Sequence, residues 1–333
     1  MTQDVVCEEP APACAQPRRA GAGELWQERF YFNFDKPRAR HRPRAALAAL
    51  RPHQWVKNLL VLLPLFLAHQ VNPLARLWPV LAALAAFCCA ASSVYLLNDV
   101  IDIEADRRHA TKRRRPIASG ELSPNFGLTL SAIAGAAGFA LASTCVSMPF
   151  VGMLALYGAL ATVYSLFVKR QLLLDVILLA GLYTLRIAAG AVAARVPLSP
   201  WLAAFAMFFF FSLALGKRYI ELRRTTGGGQ PLPTGRGYRA DDAHLLESLG
   251  PASGFLAVLV FYLYIDSDAV AALYHRAWLL WAVCPVLLYW VTRFWLLARR
   301  DEVHDDPVVF ALKDRASLAS IALTAALVWA ASA

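Results

Sequence analysis

Charge is scarce along this chain. Asp, Glu, Lys and Arg account for 17% of its 333 residues and hydrophobic residues for 58%, where soluble domains average about 25% and about 45–50%. That balance is membrane-like, and several apolar runs approach or exceed the roughly 20 residues that cross a bilayer. Cysteine usage implies neither a disulfide framework nor a zinc site. The six cysteines form no Cys-x-x-Cys pair, and Cys88, Cys89, Cys145 and Cys284 lie in apolar runs as small core residues. The seven histidines make no His-Glu-x-x-His or triad-like grouping, and Gly227-Gly-Gly229 lacks the Lys-Ser/Thr ending of a P-loop. Residues 1 to about 44 are rich in Pro, Ala and Arg, with no apolar core behind a basic start, so they do not read as a signal peptide. The formal charge of +10 sits in alternate loops between apolar runs, which argues against nucleic acid as a partner.

One polar stretch, Leu97–Gly120, breaks this oily background. Asp99, Asp102 and Asp106 stand at i, i+3 and i+7, one face of a helix, with Asn98 at its edge and Glu104 pointing away. Three aligned carboxylates repel one another unless a cation sits among them. Hard oxygen ligands suit Mg²⁺, which takes its remaining ligands from water and phosphate. Arg107, Arg108, Lys112, Arg113, Arg114 and Arg115 follow and supply charge for phosphate oxygens.

The apolar runs predict an all-α integral membrane protein with about nine transmembrane helices around a central cavity. They lie at about 57–71, 78–97, 123–145, 150–168, 172–194, 200–217, 253–271, 277–298 and 315–332. The first is short and holds Pro64; Ser123-Pro124 is an N-cap with an N1 proline that fixes the start of the third. This domain covers 46–333, and residues 1–45 are expected to be disordered or to lie on the membrane surface around Trp26 to Phe34. Trp55 is expected as an interface anchor. Eighteen Lys/Arg on one side face three (Arg76, Arg195, Arg276) on the other, which places the acidic motif in the cytoplasm of a bacterial inner-membrane protein. Long polar loops after the second and sixth spans echo each other and suggest two related halves with one site between them.

The second loop opens with Gly216-Lys-Arg-Tyr-Ile-Glu-Leu222 in place of a further carboxylate pair. Lys217 and Glu221 are i,i+4 neighbours, so a surface ion pair and a phosphate-binding role both fit. Asp175 and Arg186 share a helix face eleven residues apart in the fifth span. Charge at that depth faces a polar interior or a partner, so they are expected to be supporting residues, with Arg186 paired to an acid on another helix or open to the cavity. Tyr164 and Lys169 lie where they reach the same cavity. Asp305-Asp-Pro-Val-Val-Phe-Ala-Leu-Lys-Asp-Arg315 reads as a loop and helix start with Asp314 and Arg315 paired.

Asn-Asp-x-x-Asp-x-x-x-Asp at 98–106, followed by Arg115-Pro-Ile-Ala-Ser-Gly120, resembles the UbiA superfamily of intramembrane prenyl-handling transferases over roughly residues 46–333. Arg51-Pro-His-Gln-Trp-Val-Lys-Asn58, Gly216-Lys-Arg-Tyr-Ile-Glu221 and Asp306-Pro-Val with Asp314-Arg315 resemble its decaprenyl-phosphate phosphoribosyltransferase branch. The resemblance implies a UbiA-like helical bundle and transfer of 5-phosphoribose from phosphoribosyl diphosphate to a polyprenyl phosphate, for cell-envelope arabinose or polysaccharide precursors. Mg²⁺ on Asp99, Asp102 and Asp106, with Asn98 beside them, would clamp the donor diphosphate. Lys57, Lys112, Tyr164, Lys169, Lys217 and Arg218 are expected on substrate phosphates, with Asp175, Arg186 and Glu221 in support. Aromatic prenyltransferases of the superfamily carry a second Asp-rich motif after the sixth span, where this chain has Lys-Arg-x-x-Glu. Prenyl transfer to an aromatic or quinone-precursor acceptor is therefore the alternative. A transporter fits poorly, because the acids lie in a cytoplasmic motif. Homo-oligomerisation is left open.

Overall fold

The computed structural model describes residues 43–67, 73–109, 111–227, 237–239, 241–303 and 306–332. The expectations for residues 1–42, Trp26 to Phe34 among them, and for most of the glycine-rich tip fall outside these. Residues 43–45, expected in the extension, already belong to helix α1 (Pro43–Ala49), which buries Ala45 and Ala49. A 3-10 run, Pro52–Leu62, leads into the short α2, Leu63–Leu67. The long helices follow as α3 (Pro73–Ile101), α5 (Pro124–Cys145), α6 (Met148–Leu166), α7 (Leu174–Ala194), α8 (Pro200–Gly227), α9 (Asp242–Ile265), α11 (Val283–Arg299, entered through the 3-10 turns of Ala277–Ala282) and α13 (Arg315–Ser332). Short helices α4 (Ile103–Arg108), α10 (Asp268–Leu273) and α12 (Pro307–Lys313) lie between them.

Among the described residues eight helices are long and apolar enough to cross a membrane. The first expected span is instead the 3-10 run with α2, and length explains it. Eleven residues at about 2.0 Å and five at about 1.5 Å reach roughly 30 Å, the depth of a hydrocarbon core, in fewer residues than an α-helix needs. Gly190 of α7 makes room for this run: a Cβ there would lie 2.1 Å from the Val61 carbonyl oxygen. Trp55, expected as an interface anchor, donates its indole N–H to Ser92 Oγ of α3 at 3.0 Å.

Local signals set the helix ends. Ser123 Oγ accepts from the Phe126 amide at 3.2 Å, with Pro124 as first residue of α5. Ser147 caps α6 in the same way. Two larger buried clusters, one from the 3-10 run, α2, α3, α5, α6 and α7 and the other chiefly from α7, α8, α9 and α11, are accompanied by a smaller one from α9, α10, the Ala277–Ala282 turns, α11 and α13. Helix α7 belongs to both larger clusters. Helices α3 and α5 pack as one pair joined by the acidic loop, and α8 and α9 as another joined by the second loop, in keeping with the two-halves reading. Outward positions stay apolar, as at Phe66 (70% exposed) and Trp329 (74%), the surface lipid requires rather than water.

Candidate active site

Helix α3 ends at Ile101, Asp102 leaves helical geometry at ψ 13°, and α4 begins at Ile103. The amides of Asp102 and Asp106 still bond four residues back, to the carbonyls of Asn98 and Asp102. The acids therefore keep the expected face across the break. Glu104 points away, 68% exposed, and pairs with Arg107 at 3.0 Å.

Each acid is covered by a cation. Asp99 and Asp106 are buried, 2% and 3% exposed. A single nitrogen, Arg115 Nη1, reaches Asp99 Oδ1 at 3.1 Å and Asp106 Oδ2 at 2.5 Å. The Arg51 guanidinium also pairs with Asp99. Asp102 turns to Lys169, whose Nζ lies 2.7 and 3.0 Å from its two oxygens. Three acids sharing one ion is thus not the arrangement seen, and among the described residues no three potential ligands group around one point. Two carboxylates do meet, however, and Asp99 Oδ2 is buried with no hydrogen-bond partner. Two acids, an orphaned oxygen and substrate phosphates make an ordinary Mg²⁺ ligand set, so the residues fit that ion. Lys112 is half-buried nearby; burial, with Arg115 beside it, pushes its ammonium below the usual lysine range.

Next to Asn98 opens a cavity of about 140 Å³ between the 3-10 run and α3, α6, α7, α8 and α12. The acids are not among its lining residues; Asn98, Lys57, Tyr164, Arg186, Lys217 and Asp306 are. Asp306 Oδ2 accepts from Lys57 Nζ at 2.9 Å and from Lys217 Nζ at 3.1 Å. Burial pushes this carboxyl up, but the two ammonium groups outweigh it and hold Asp306 well below the usual carboxylate range. Lys217 is thus hydrogen-bonded to Asp306. Asp306, read as part of a plain loop, is a residue of this site.

Arg218, expected on a substrate phosphate, is turned inward onto protein groups. It is 1% exposed and bonds Asp175 Oδ2 and Glu221 Oε2, both at 2.5 Å, and the Tyr164 hydroxyl at 3.0 Å. Asp175 also accepts from the Tyr238 hydroxyl at 2.7 Å. Asp175 and Glu221 thus support the fold through Arg218, and Tyr164 joins that network at the cavity wall. Among the described residues Arg186 pairs with no acid: Asn58, Tyr157 and the Leu182 carbonyl accept its bonds. Asp314 takes Arg293 in a two-pronged pair at 2.6 and 2.9 Å, in place of the expected Arg315, and those hydrogen bonds hold its carboxyl at about 2.

A family model described as the UbiA prenyltransferase family matches residues 58–321. A Sinorhizobium fredii protein, the uncharacterized protein y4nM, is 39% identical over 283 residues, 84% of this chain and 54% of that protein. The chain thus spans about half the length of that relative. The nodulation protein NoeC of Azorhizobium caulinodans is 35% identical over 273 residues, covering 82% of this chain and 88% of NoeC. The decaprenyl-phosphate phosphoribosyltransferase of Mycolicibacterium smegmatis is 37% identical over 189 residues, 53% of this chain and 57% of that enzyme. Among solved structures, a UbiA homolog from Archaeoglobus fulgidus bound to DMAPP and Mg²⁺ superposes with a TM-score of 0.64 at 16% identity, covering 86% of this chain and 99% of that one.

Proposed function

Because the chain belongs to the UbiA prenyltransferase family, we propose that this integral membrane protein transfers 5-phosphoribose from phosphoribosyl diphosphate to a polyprenyl phosphate, at a site facing the cytoplasm of the inner membrane. The observation that carries this reading is the pair Lys57 and Lys217. They converge from two helical segments on Asp306 in the cavity wall, where a user of prenyl diphosphates would carry a second acidic motif. Ammonium groups there suit a donor with an additional phosphate. Relatives named decaprenyl-phosphate phosphoribosyltransferase support it over half the chain.

Asp99 and Asp106, with Asn98 beside them, would hold Mg²⁺. Bound there, the ion supplies charge that stabilises the departing diphosphate. Arg115 and Arg51, which cover these acids, then turn to diphosphate oxygens. Lys57 and Lys217 hold the donor's 5-phosphate and fix the ribose. The bond from the anomeric carbon to the diphosphate breaks with its electron pair on the diphosphate, and an acceptor phosphate oxygen forms the new bond. That oxygen is already anionic, so no general base is required.

The second reading, prenyl transfer to an aromatic acceptor, is favoured by the DMAPP-bound structural neighbour and by the ring-lined cavity wall of Tyr95, Tyr157 and Tyr183. Purified protein with labelled phosphoribosyl diphosphate and polyprenyl phosphate, with and without Mg²⁺, separates the two. Lys217→Ala should raise the donor KM about tenfold, the worth of one charge-assisted phosphate contact of about 1.5 kcal/mol, and leave the acceptor KM nearly unchanged. Consumption of prenyl diphosphates with phosphoribosyl diphosphate ignored would select the second reading.

A further inference from the structure

Among the described residues Arg186 is a buried cation without an anion. It is 5% exposed within α7, and it lines the cavity. Nε donates to Asn58 Oδ1 at 2.9 Å, Nη1 to the Leu182 carbonyl at 2.7 Å and Nη2 to the Tyr157 hydroxyl at 3.0 Å. The rings of Tyr157 and Tyr183 flank it, with centroids 4.7 and 5.3 Å from Cζ. All these partners are neutral. The other buried cations of this region each have an acid: Arg218 has Asp175 and Glu221, and Lys57 shares Asp306 with Lys217. A guanidinium carries five N–H groups, so Nη1 and Nη2 each keep a second one.

Such a charge is costly at membrane depth unless something compensates it. The charged side chains lining the cavity are Lys57, Lys217, Arg186 and Asp306, three cations to one acid, so the space itself is anion-seeking. Asn58 and Tyr157 hold the guanidinium fork in place, the pre-organisation that two-pronged recognition of phosphate uses. We propose that the Arg186 end of the cavity is a subsite for a phosphate monoester, separate from the diphosphate site at Asp99 and Asp106. Whether that phosphate is the polyprenyl acceptor's, or the donor's 5-phosphate shared by Arg186 with Lys57 and Lys217 of the same cavity, rests on the transferase reading; phosphate binding does not.

The test uses the full chain in detergent, without Mg²⁺, with inorganic phosphate at low millimolar concentration as the probe. The thermal midpoint of the wild type should rise saturably with phosphate. Arg186→Gln should need at least tenfold more phosphate for the same rise. Leu182→Glu places an acid one turn away on the same helix face, an i,i+4 counter-ion, and should lose the response equally while keeping the guanidinium. If Arg186→Gln fails to fold, Leu182→Glu decides. Kinetics then identify the source: the KM that rises tenfold, for phosphoribosyl diphosphate or for polyprenyl phosphate, marks the substrate. A wild type that shows no saturable response, a Leu182→Glu protein that responds as the wild type does, or loss in Lys217→Gln alone overturns the subsite. A phosphate response lost in the Arg186 and Leu182 variants, in a protein that ignores phosphoribosyl diphosphate, leaves the subsite standing and refutes the donor.

Discussion

At the scale of single residues, the acids are distinguished by what covers them. Asp99 and Asp102 each face a cation from another part of the chain, whereas Glu104 pairs only with its neighbour Arg107 in solvent. Asp99→Ala and Asp106→Ala, which remove the two carboxylates that Arg115 bridges, should abolish transfer, since parts of one catalytic unit cost far more than surface charges. Glu104→Ala should stay within about twofold of wild type, because exposed pairs are worth little; equal loss in all three, measured as initial rates on folded protein, would refute the one-face assignment. Asp306 carries a pH signature. Its folded-state carboxyl titrates below its unfolded one, so its stabilisation is complete above the ordinary carboxylate range and fades as the pH falls toward the folded value. Asp306→Asn should therefore cost about 3 kcal/mol near neutrality, and the gap in thermal midpoint to wild type should narrow on acidification to about pH 3. The motif at 98–106 was legible because its ligands are close in sequence. Asp306 was not, since 249 residues separate it from Lys57. Lys217 and Arg218 looked equivalent, yet successive helical residues point about 100° apart, so one lines the cavity and the other is sealed inside.

At the scale of elements, apolar runs gave most helix ends to within a few residues, as at 124–145 and 174–194. They failed where a helix continues past the hydrocarbon. Helix α9 begins at Asp242, eleven residues ahead of its expected start, with His244, Glu247 and Ser248 on its first turns, and α8 runs on past Lys217 to Gly227. Hydropathy reports the bilayer and not the hydrogen-bonded helix. The 3-10 run was invisible for another reason: it depends on contact with α7 at Gly190. Gly190→Ala drives a methyl group into the Val61 backbone, which cannot rotate aside. Overpacking of this kind costs about 1–3 kcal/mol, and the upper end is expected here, read as a lowered thermal midpoint in detergent. The same substitution at Gly152, where a Cβ would meet nothing within 4 Å beyond its own helix backbone, should leave the midpoint unchanged or raise it slightly, since Ala is the better helix former.

At the scale of the whole molecule, the two larger buried clusters meet on α7, so neither is complete without it. The charge asymmetry of the loops supports the proposed orientation, with the acidic motif on the cytoplasmic side. In a cysteine-free background, Ser119→Cys, exposed in the loop after the acidic motif, should react with a membrane-impermeant maleimide only from the cytoplasmic face. Leu198→Cys, between α7 and α8, should react only from the opposite face. Labelling of both from one side would invert the assignment. Nine crossings were expected and, among the described residues, eight helices are long enough; the first expected span is the 3-10 run followed by the five-residue α2.

That winding sets a length. If the run Pro52–Leu62 relaxed from 3-10 to α geometry, each residue would give up about 0.5 Å, on the order of 5 Å over the run. Each side chain would also rotate about 20° against its predecessor. Arg51 and Lys57, held at one end against Asp99 and Asp306, would be drawn off both carboxylates while Val61 stayed fixed at Gly190. The segment therefore works as a taut tether. Its pitch, as much as its side chains, keeps two of the cations in register with the acids they cover.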